Sequence, residues 1–265
     1  TGTLASAISM SGGTLDADNS LTVSGTLTQS GAITIDVLAD KTLTYSGTAL
    51  SLGANTLTLS GGGTLVSGGL TLNDANSKLL LDSITVDSVS TTIDNTLGLD
   101  VDADSTVSSL SVANITPVSI ANTKTLSGAI TLTAGSIKLA ETGTLASSIS
   151  MSGGALEADN SLTVSGTLTH TGNITIDVAD TKTLTYSGTA ISLGANTLTL
   201  TGGGSLVSGG LTLNDASSKL LLNSITVDSV STSVDNSLGL DVDADSTVSS
   251  LSVAHITPVS IANTK

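Results

Sequence analysis

The chain has 265 residues, with 22 acidic side chains against 7 lysines, no arginine, phenylalanine, tryptophan or cysteine, and a formal net charge of −15. This composition excludes disulfides and thiolate metal sites. It leaves any core to Leu, Ile, Val and Ala, and it argues against nucleic acid and anionic lipid as partners, since both are held by basic side chains. A mean hydropathy of +0.38, with apolar residues spread along the whole sequence, predicts an ordered chain rather than a disordered one.

Taken in chain order, ITIDV from Ile33, TLTL from Thr56, KLLL from Lys78, SITVDSV from Ser83 and SLSVAN from Ser109 place apolar residues among Thr, Ser or Asp. Period-two alternation with β-branched residues and Gly-rich breaks predicts strands, and no stretch holds the i, i+3, i+4, i+7 spacing of a helix. Between the apolar runs fall Asn19, Asn55, Asn76, Asn95, Asn114 and Asn160, with Asp40 and Gly135 filling two longer gaps. Asn, Asp and Gly tolerate the left-handed backbone of a corner between strands. These positions therefore predict corners about 20 residues apart, with asparagines hydrogen-bonding up a ladder. Pro117 and Pro258 lack a ladder donor and are expected at a strand end or corner, or where the ladder is locally broken. No apolar run approaches the ~18 residues of a membrane span. No charged and then apolar leader opens the chain, so an export signal is expected outside these residues.

A second, longer period governs the whole chain. Shifted by 141 positions, residues 1–124 align with 142–265 without a gap. Of the 124 pairs, 18 differ and 106 are identical. The expected fold is all-β, a right-handed parallel β-helix or β-solenoid. It has about 20 residues per coil and about seven coils per 141-residue unit. The expected organisation is one repeat unit over 1–141 and a second, incomplete one over 142–265, as a continuous rod without a linker cut from a longer array. At ~4.8 Å per coil, ~13 coils predict a rod on the order of 60 Å long.

The segments SLTVSGTLT from Ser20, ISLGANTLTL from Ile191 and TLVSGGLTLND from Thr64 resemble the repetitive β-helical stalks of large bacterial exoproteins, the filamentous-haemagglutinin-like adhesins and autotransporter passengers. The resemblance runs over the whole chain. It implies export to the bacterial cell surface and roles in adhesion, matrix or surface coating, and it carries over no functional residue.

The most site-like motif is LDVDADST, which places Asp100, Asp102 and Asp104 in the first unit and Asp241, Asp243 and Asp245 in the second. If the segment is extended, the three carboxylates of each unit share a face and offer hard oxygen ligands to Ca²⁺. The calcium-roll nonapeptide is not met, because SGGTLDADN from Ser11 lacks its fourth-position glycine. The EF-hand pattern is incomplete, with Ser105 in place of the loop glycine and Ser111 at the bidentate glutamate position. The alternative reading is a solvated strand face whose charge keeps the fibre soluble. Asp16 with Asp18, and Glu157 with Asp159, form a lesser acidic pair.

His170 aligns with Gln29 and His255 with Asn114, so neither histidine occurs in both units. That points to surface or corner residues rather than a catalytic base. Threonine pairs at Thr26/Thr28, Thr42/Thr44, Thr56/Thr58 and Thr131/Thr133 invite a water-ordering array, which breaks up between Lys78 and Lys124. Tyr45 and Tyr186, in identical TLTYSG contexts, read as packed strand residues.

The expected function is structural: a repeat module of an extracellular bacterial fibre or surface filament, not an enzyme and with no cofactor required beyond candidate Ca²⁺. Its expected partners are other copies or adjacent repeats end to end, and cell-surface or matrix components, with no nucleic acid and no membrane span. Two alternatives stand beside it, a calcium-rigidified stalk of tandem β-sandwich domains and a carbohydrate-active β-helix working through paired carboxylates.

Overall fold

The computed structural model describes residues 2–262. Among them there is no helix, and the strand pairings within each unit are parallel, apart from two isolated antiparallel bridges, Leu38 with Gly62 and Ala179 with Gly203. The chain is a β-solenoid. Parallel stacking of one coil on the next excludes the tandem antiparallel sandwiches weighed above, whose neighbouring strands run in opposite directions.

The chain divides into two compact units, Thr1–Thr131 and Leu132–Lys265, whereas the sequence copies meet at Glu141 and Thr142. A sequence copy begins where duplication set it, while a compact unit follows contacts, so the two boundaries need not coincide.

In the first unit each coil turns through three faces. The first face is built from Thr14–Ala17, Ile33–Val37, Thr56–Ser60, Lys78–Asp82, Gly98–Val101 and Thr116–Ile120. The second face carries Gly2–Leu4, Leu21–Val23, Thr42–Tyr45 and Thr64–Val66. The third carries Ile8–Met10, Leu27–Gln29, Leu50–Ser51 and Leu70–Leu72. Thr85–Thr91 and Ser105–Val112 run through the second face into the third. The second unit repeats this plan, with a first face running from Ser136–Leu139 to Val259–Ile261.

Alternating side chains explain why the coils close. In Ile33–Val37, Ile33, Ile35 and Val37 point inward and are buried, while Thr34 and Asp36 face out. Register then aligns like with like: Ile35, Leu59, Leu81, Val101 and Ile120 stack behind the first face. Leu21, Leu43, Leu65, Val86 and Val107 stack behind the second, and Leu50, Leu70, Val89 and Leu110 behind the third. Burying each such side chain is worth about 1.5–3 kcal/mol, so three aliphatic columns hold the stack without an aromatic core. Coil length is not constant, the coil from Ile35 to Leu59 being longer than the one from Val101 to Ile120. The corners absorb that difference, which keeps every column in step.

The corner asparagines fall on two different edges. Asn19, Asp40 and Asn160 lie between the first and second faces, whereas Asn55, Asn76, Asn95, Asn114 and Gly135 lie between the third and first. Switching edges accounts for their uneven spacing, short from Asp40 to Asn55 and long from Gly135 to Asn160. Nor do the asparagines supply left-handed backbone. Among the described residues the non-glycine positive φ values belong to Asp40, Ser83, Thr123, Thr181 and Ser224.

The asparagines work through their side chains instead. Buried Asn95 donates from Nδ2 to the carbonyls of Asp74 (2.8 Å) and Ser77 (2.9 Å), one coil away, while its Oδ1 accepts from the Leu97 and Gly98 amides. Pro117 sits opposite Gly98, one residue before the ladder's first pair, Leu99 with Val118, as its missing N–H requires. Gly98 must be glycine there. Its φ is +68°, and a Cβ would lie 2.0 Å from the Pro117 carbonyl oxygen.

Candidate functional site

With the coil phase fixed, charge sorts by face. Every acidic residue except Asp87 and Asp228 lies on the first face or on one of the two corners bordering it, and so do the six lysines among the described residues. The second and third faces present Thr, Ser and apolar side chains. No single sequence window shows this, because the charges are spaced a coil apart.

The candidate calcium motif does not stay extended. Asp100 is in the strand Gly98–Val101, the chain bends at Asp102 and Ala103, and Asp104 precedes the next strand. Asp100 Oδ2 accepts from Lys78 Nζ at 2.7 Å, Asp102 is exposed, and Asp104 Oδ1 accepts from the Thr125 amide at 2.8 Å. The copy repeats the start of this pattern, with Lys219 pairing with Asp241 at 3.1 Å and Asp243 and Asp245 exposed beyond the strand. Among the described residues no three His, Asp or Glu side chains converge as a metal site would require.

Several other carboxylates of this face and its corners also have partners. Asp36 accepts from the Ser60 hydroxyl at 2.7 Å, Asp74 from the Asn76 amide at 2.9 Å and Asp94 from the Ile115 amide at 2.9 Å. In the second unit Lys138, Glu157 and Asp177 stack in register on the first face. Glu157, hydrogen-bonded and opposite in charge, holds the Lys138 ammonium above the usual lysine range. Burial, then the charges of Glu157 and Asp159, push Asp177 above the usual carboxylate range, with Lys138 opposing.

Asp87 and Asp228 do something different, and sequence reading passed over them. Where the coil below turns from the second to the third face through Ser67, Gly68 and Gly69, Asp87 Oδ2 accepts from the Ser67 and Gly68 amides, both at 2.9 Å. Its Oδ1 accepts from the Ser67 hydroxyl and the Ser88 amide, also at 2.9 Å. Asp228 repeats this with Ser208 and Ser229. Burial alone would raise the Asp228 carboxyl, but the amides of Ser208 and Ser229 and the Ser208 hydroxyl outweigh it and pull it below the usual range. The signal available in the sequence was a lone Asp inside the apolar run SITVDSV, one coil after the turn residues Ser67, Gly68 and Gly69.

The third face is interrupted in the first unit. Ile8–Met10 and Leu27–Gln29 form a sheet of their own, and Leu50–Ser51 pairs onward with Leu70–Leu72. Buried Tyr45 reaches into this seam and accepts the Leu27 amide, while Gln29 Nε2 donates to the Leu52 carbonyl at 2.9 Å. An open slot of about 260 Å³ remains, lined by Leu27, Gln29, Tyr45, Ala49 and Leu50 among others. His170, at the position of Gln29, has Nδ1 3.1 Å from the Gly172 carbonyl, and His255 lies on a corner 3.6 Å from Asp235. His255 thus stands beside one carboxylate on an exposed corner.

The threonine pairs are dispersed as well. Thr26/Thr28 border or lie on the third face, Thr42/Thr44 lie on the second and Thr56/Thr58 on the first. No known family model, curated protein or solved structure matches the chain.

Proposed function

We propose that the chain is a structural repeat module of an extracellular bacterial fibre or surface filament, joined end to end to other copies or adjacent repeats. The supporting observation is the stacking of aliphatic columns coil on coil within each unit, with carboxylates such as Asp36, Asp94 and Asp100 tied to a hydroxyl, an amide and a lysine. Such a stack gives stiffness and reach, and its anionic first face keeps it solvated. Surface coating, matrix cohesion or adhesion through cell-surface components are the roles that fit.

Electron microscopy and fibre diffraction of the purified chain test this reading. Smooth filaments with a ~4.8 Å repeat along the axis are expected. Isolated short particles at every concentration, together with an intracellular location by immunogold labelling of the source cells, would sink it.

A further inference from the structure

The chain's two methionines, Met10 and Met151, hold the same place in the two units, and each is paired in register with a residue of the next coil. In the first unit that residue is Gln29 and in the second it is His170. Both members of the second pair turn toward the interior of the third face. Leu168 is buried, Thr169 exposed and His170 half-buried, while Ile149 and Met151 are buried on either side of exposed Ser150. Strand alternation therefore sends the imidazole and the thioether inward from neighbouring rungs.

The two ring nitrogens of His170 are differently employed. Nδ1 lies 3.1 Å from the Gly172 carbonyl oxygen, and because a carbonyl only accepts, Nδ1 carries the proton. In the neutral ring that leaves a lone pair on Nε2, which is buried without a hydrogen-bond partner. Burying an acceptor in this way is unfavourable unless something else binds it. A ring that donates one nitrogen to a backbone carbonyl and keeps the other bare is also oriented as metal-binding histidines are.

We propose that His170 Nε2 and Met151 Sδ together form a binding site for a soft monovalent metal ion of the Cu(I) type.

Three properties select that class of ligand. Thioether sulfur is a soft donor that suits Cu(I), whereas Mg²⁺, Ca²⁺ and Mn²⁺ take oxygen. Both donors are neutral, so a monovalent ion leaves one uncompensated charge in the buried site and a divalent ion leaves two, at a greater desolvation cost. Bonds of about 2.0 Å to nitrogen and about 2.3 Å to sulfur, set in line, span nearly the ~4.8 Å between rungs. The first unit does not repeat the site, because Gln29 stands at the histidine position and its Nε2 donates to the Leu52 carbonyl at 2.9 Å. A metal site at this pair is independent of the fibre reading.

Silver(I) nitrate in chloride-free buffer is the probe, since Ag⁺ shares the soft preference and keeps its oxidation state in air. Calorimetric titration of the purified chain should give one saturable equivalent. His170→Gln, which installs the residue of the first unit, should abolish it. Met151→Leu conserves volume and should weaken binding about tenfold or more. His255→Gln, on a separate corner, should leave it within about twofold. Nitrogen NMR of the imidazole rings supplies a readout other than affinity, with Ag⁺ shifting Nε2 of His170 and neither nitrogen of His255.

A parent chain with no saturable equivalent overturns the site, as does binding that survives His170→Gln or is unchanged in Met151→Leu. Displacement of Ag⁺ by equimolar Zn²⁺ would also overturn it, because a borderline divalent ion would then be the better fit.

Discussion

The phenolic oxygen of Tyr45 accepts a hydrogen bond from the Leu27 amide at 3.2 Å, and Tyr186 repeats the relationship with Leu168 at 3.0 Å. Each tyrosine substitutes for a missing ladder partner. Gly47 makes room for the ring, because a Cβ there would lie 2.2 Å from it. Tyr45→Phe keeps the packing but strands a buried amide, at a cost of about 1–3 kcal/mol. Urea unfolding should show that loss, and hydrogen exchange at Leu27 should accelerate selectively. Unchanged exchange at Leu27 would mean that water, not the phenol, satisfies this amide.

Asn95 predicts a larger effect at a corner. Removing its side chain deprives two amides and two carbonyls of a partner at once, so Asn95→Ala should destabilise by about 2–3 kcal/mol. Asn114, whose side chain makes one long bond of 3.3 Å to the Thr91 carbonyl, should cost well under half of that when replaced by alanine. Chemical denaturation of the two variants compares them directly, and equal losses would refute the assignment of Asn95 as the corner's hydrogen-bond hub.

The coil and its three aliphatic columns were legible in the sequence, because alternation fixes which side chains point inward and a fold with a regular coil period must stack like on like. A run such as ITIDV gave strand, face and burial together, whereas nothing in KLLL separates outward Leu80 from buried Leu79 and Leu81. The corners were less legible. Asn19 and Asn95 look alike as punctuation residues, yet they sit on different edges, and only register separates them. Left-handed backbone fell instead to Ser83, Thr123 and Thr181 as well as Asp40. Those hydroxyl residues carry no such label in composition. Charge segregation depends on pairings a whole coil apart, and a one-residue error in register would have turned the outward carboxylates into the core.

The first face predicts indifference to chelation. Asp100 is paired with Lys78 and Asp104 with the Thr125 amide, so three carboxylates are not free to close on one ion. Addition of EDTA should leave the unfolding midpoint unchanged, and Asp100→Asn should cost no more than about 1 kcal/mol, the scale of an exposed ion pair. A calcium-dependent rise in thermal midpoint that is lost in Asp102→Asn and Asp104→Asn would refute this and restore the cation reading.

Asp228 and Asp177 predict opposite responses to acid. The Asp228 carboxyl is held below its reference value of 3.8, so the folded state favours its ionised form. Its contribution is present above the unfolded value and is lost as pH falls through the lower folded one. Asp177 is raised above 3.8, so the folded state favours the proton. That preference stabilises below the unfolded value and disappears as pH rises through the folded one, leaving a repulsive carboxylate at neutral pH. Asp228→Asn should therefore destabilise at pH 7, with the difference from the parent shrinking below pH ~4. Asp177→Asn should stabilise at pH 7, with its advantage fading on acidification. Unfolding midpoints of the two variants and the parent across pH 3–8 decide the matter. Parallel pH profiles for Asp177→Asn and Asp228→Asn would show that the corner amides and the acidic column do not bias protonation as their geometry requires.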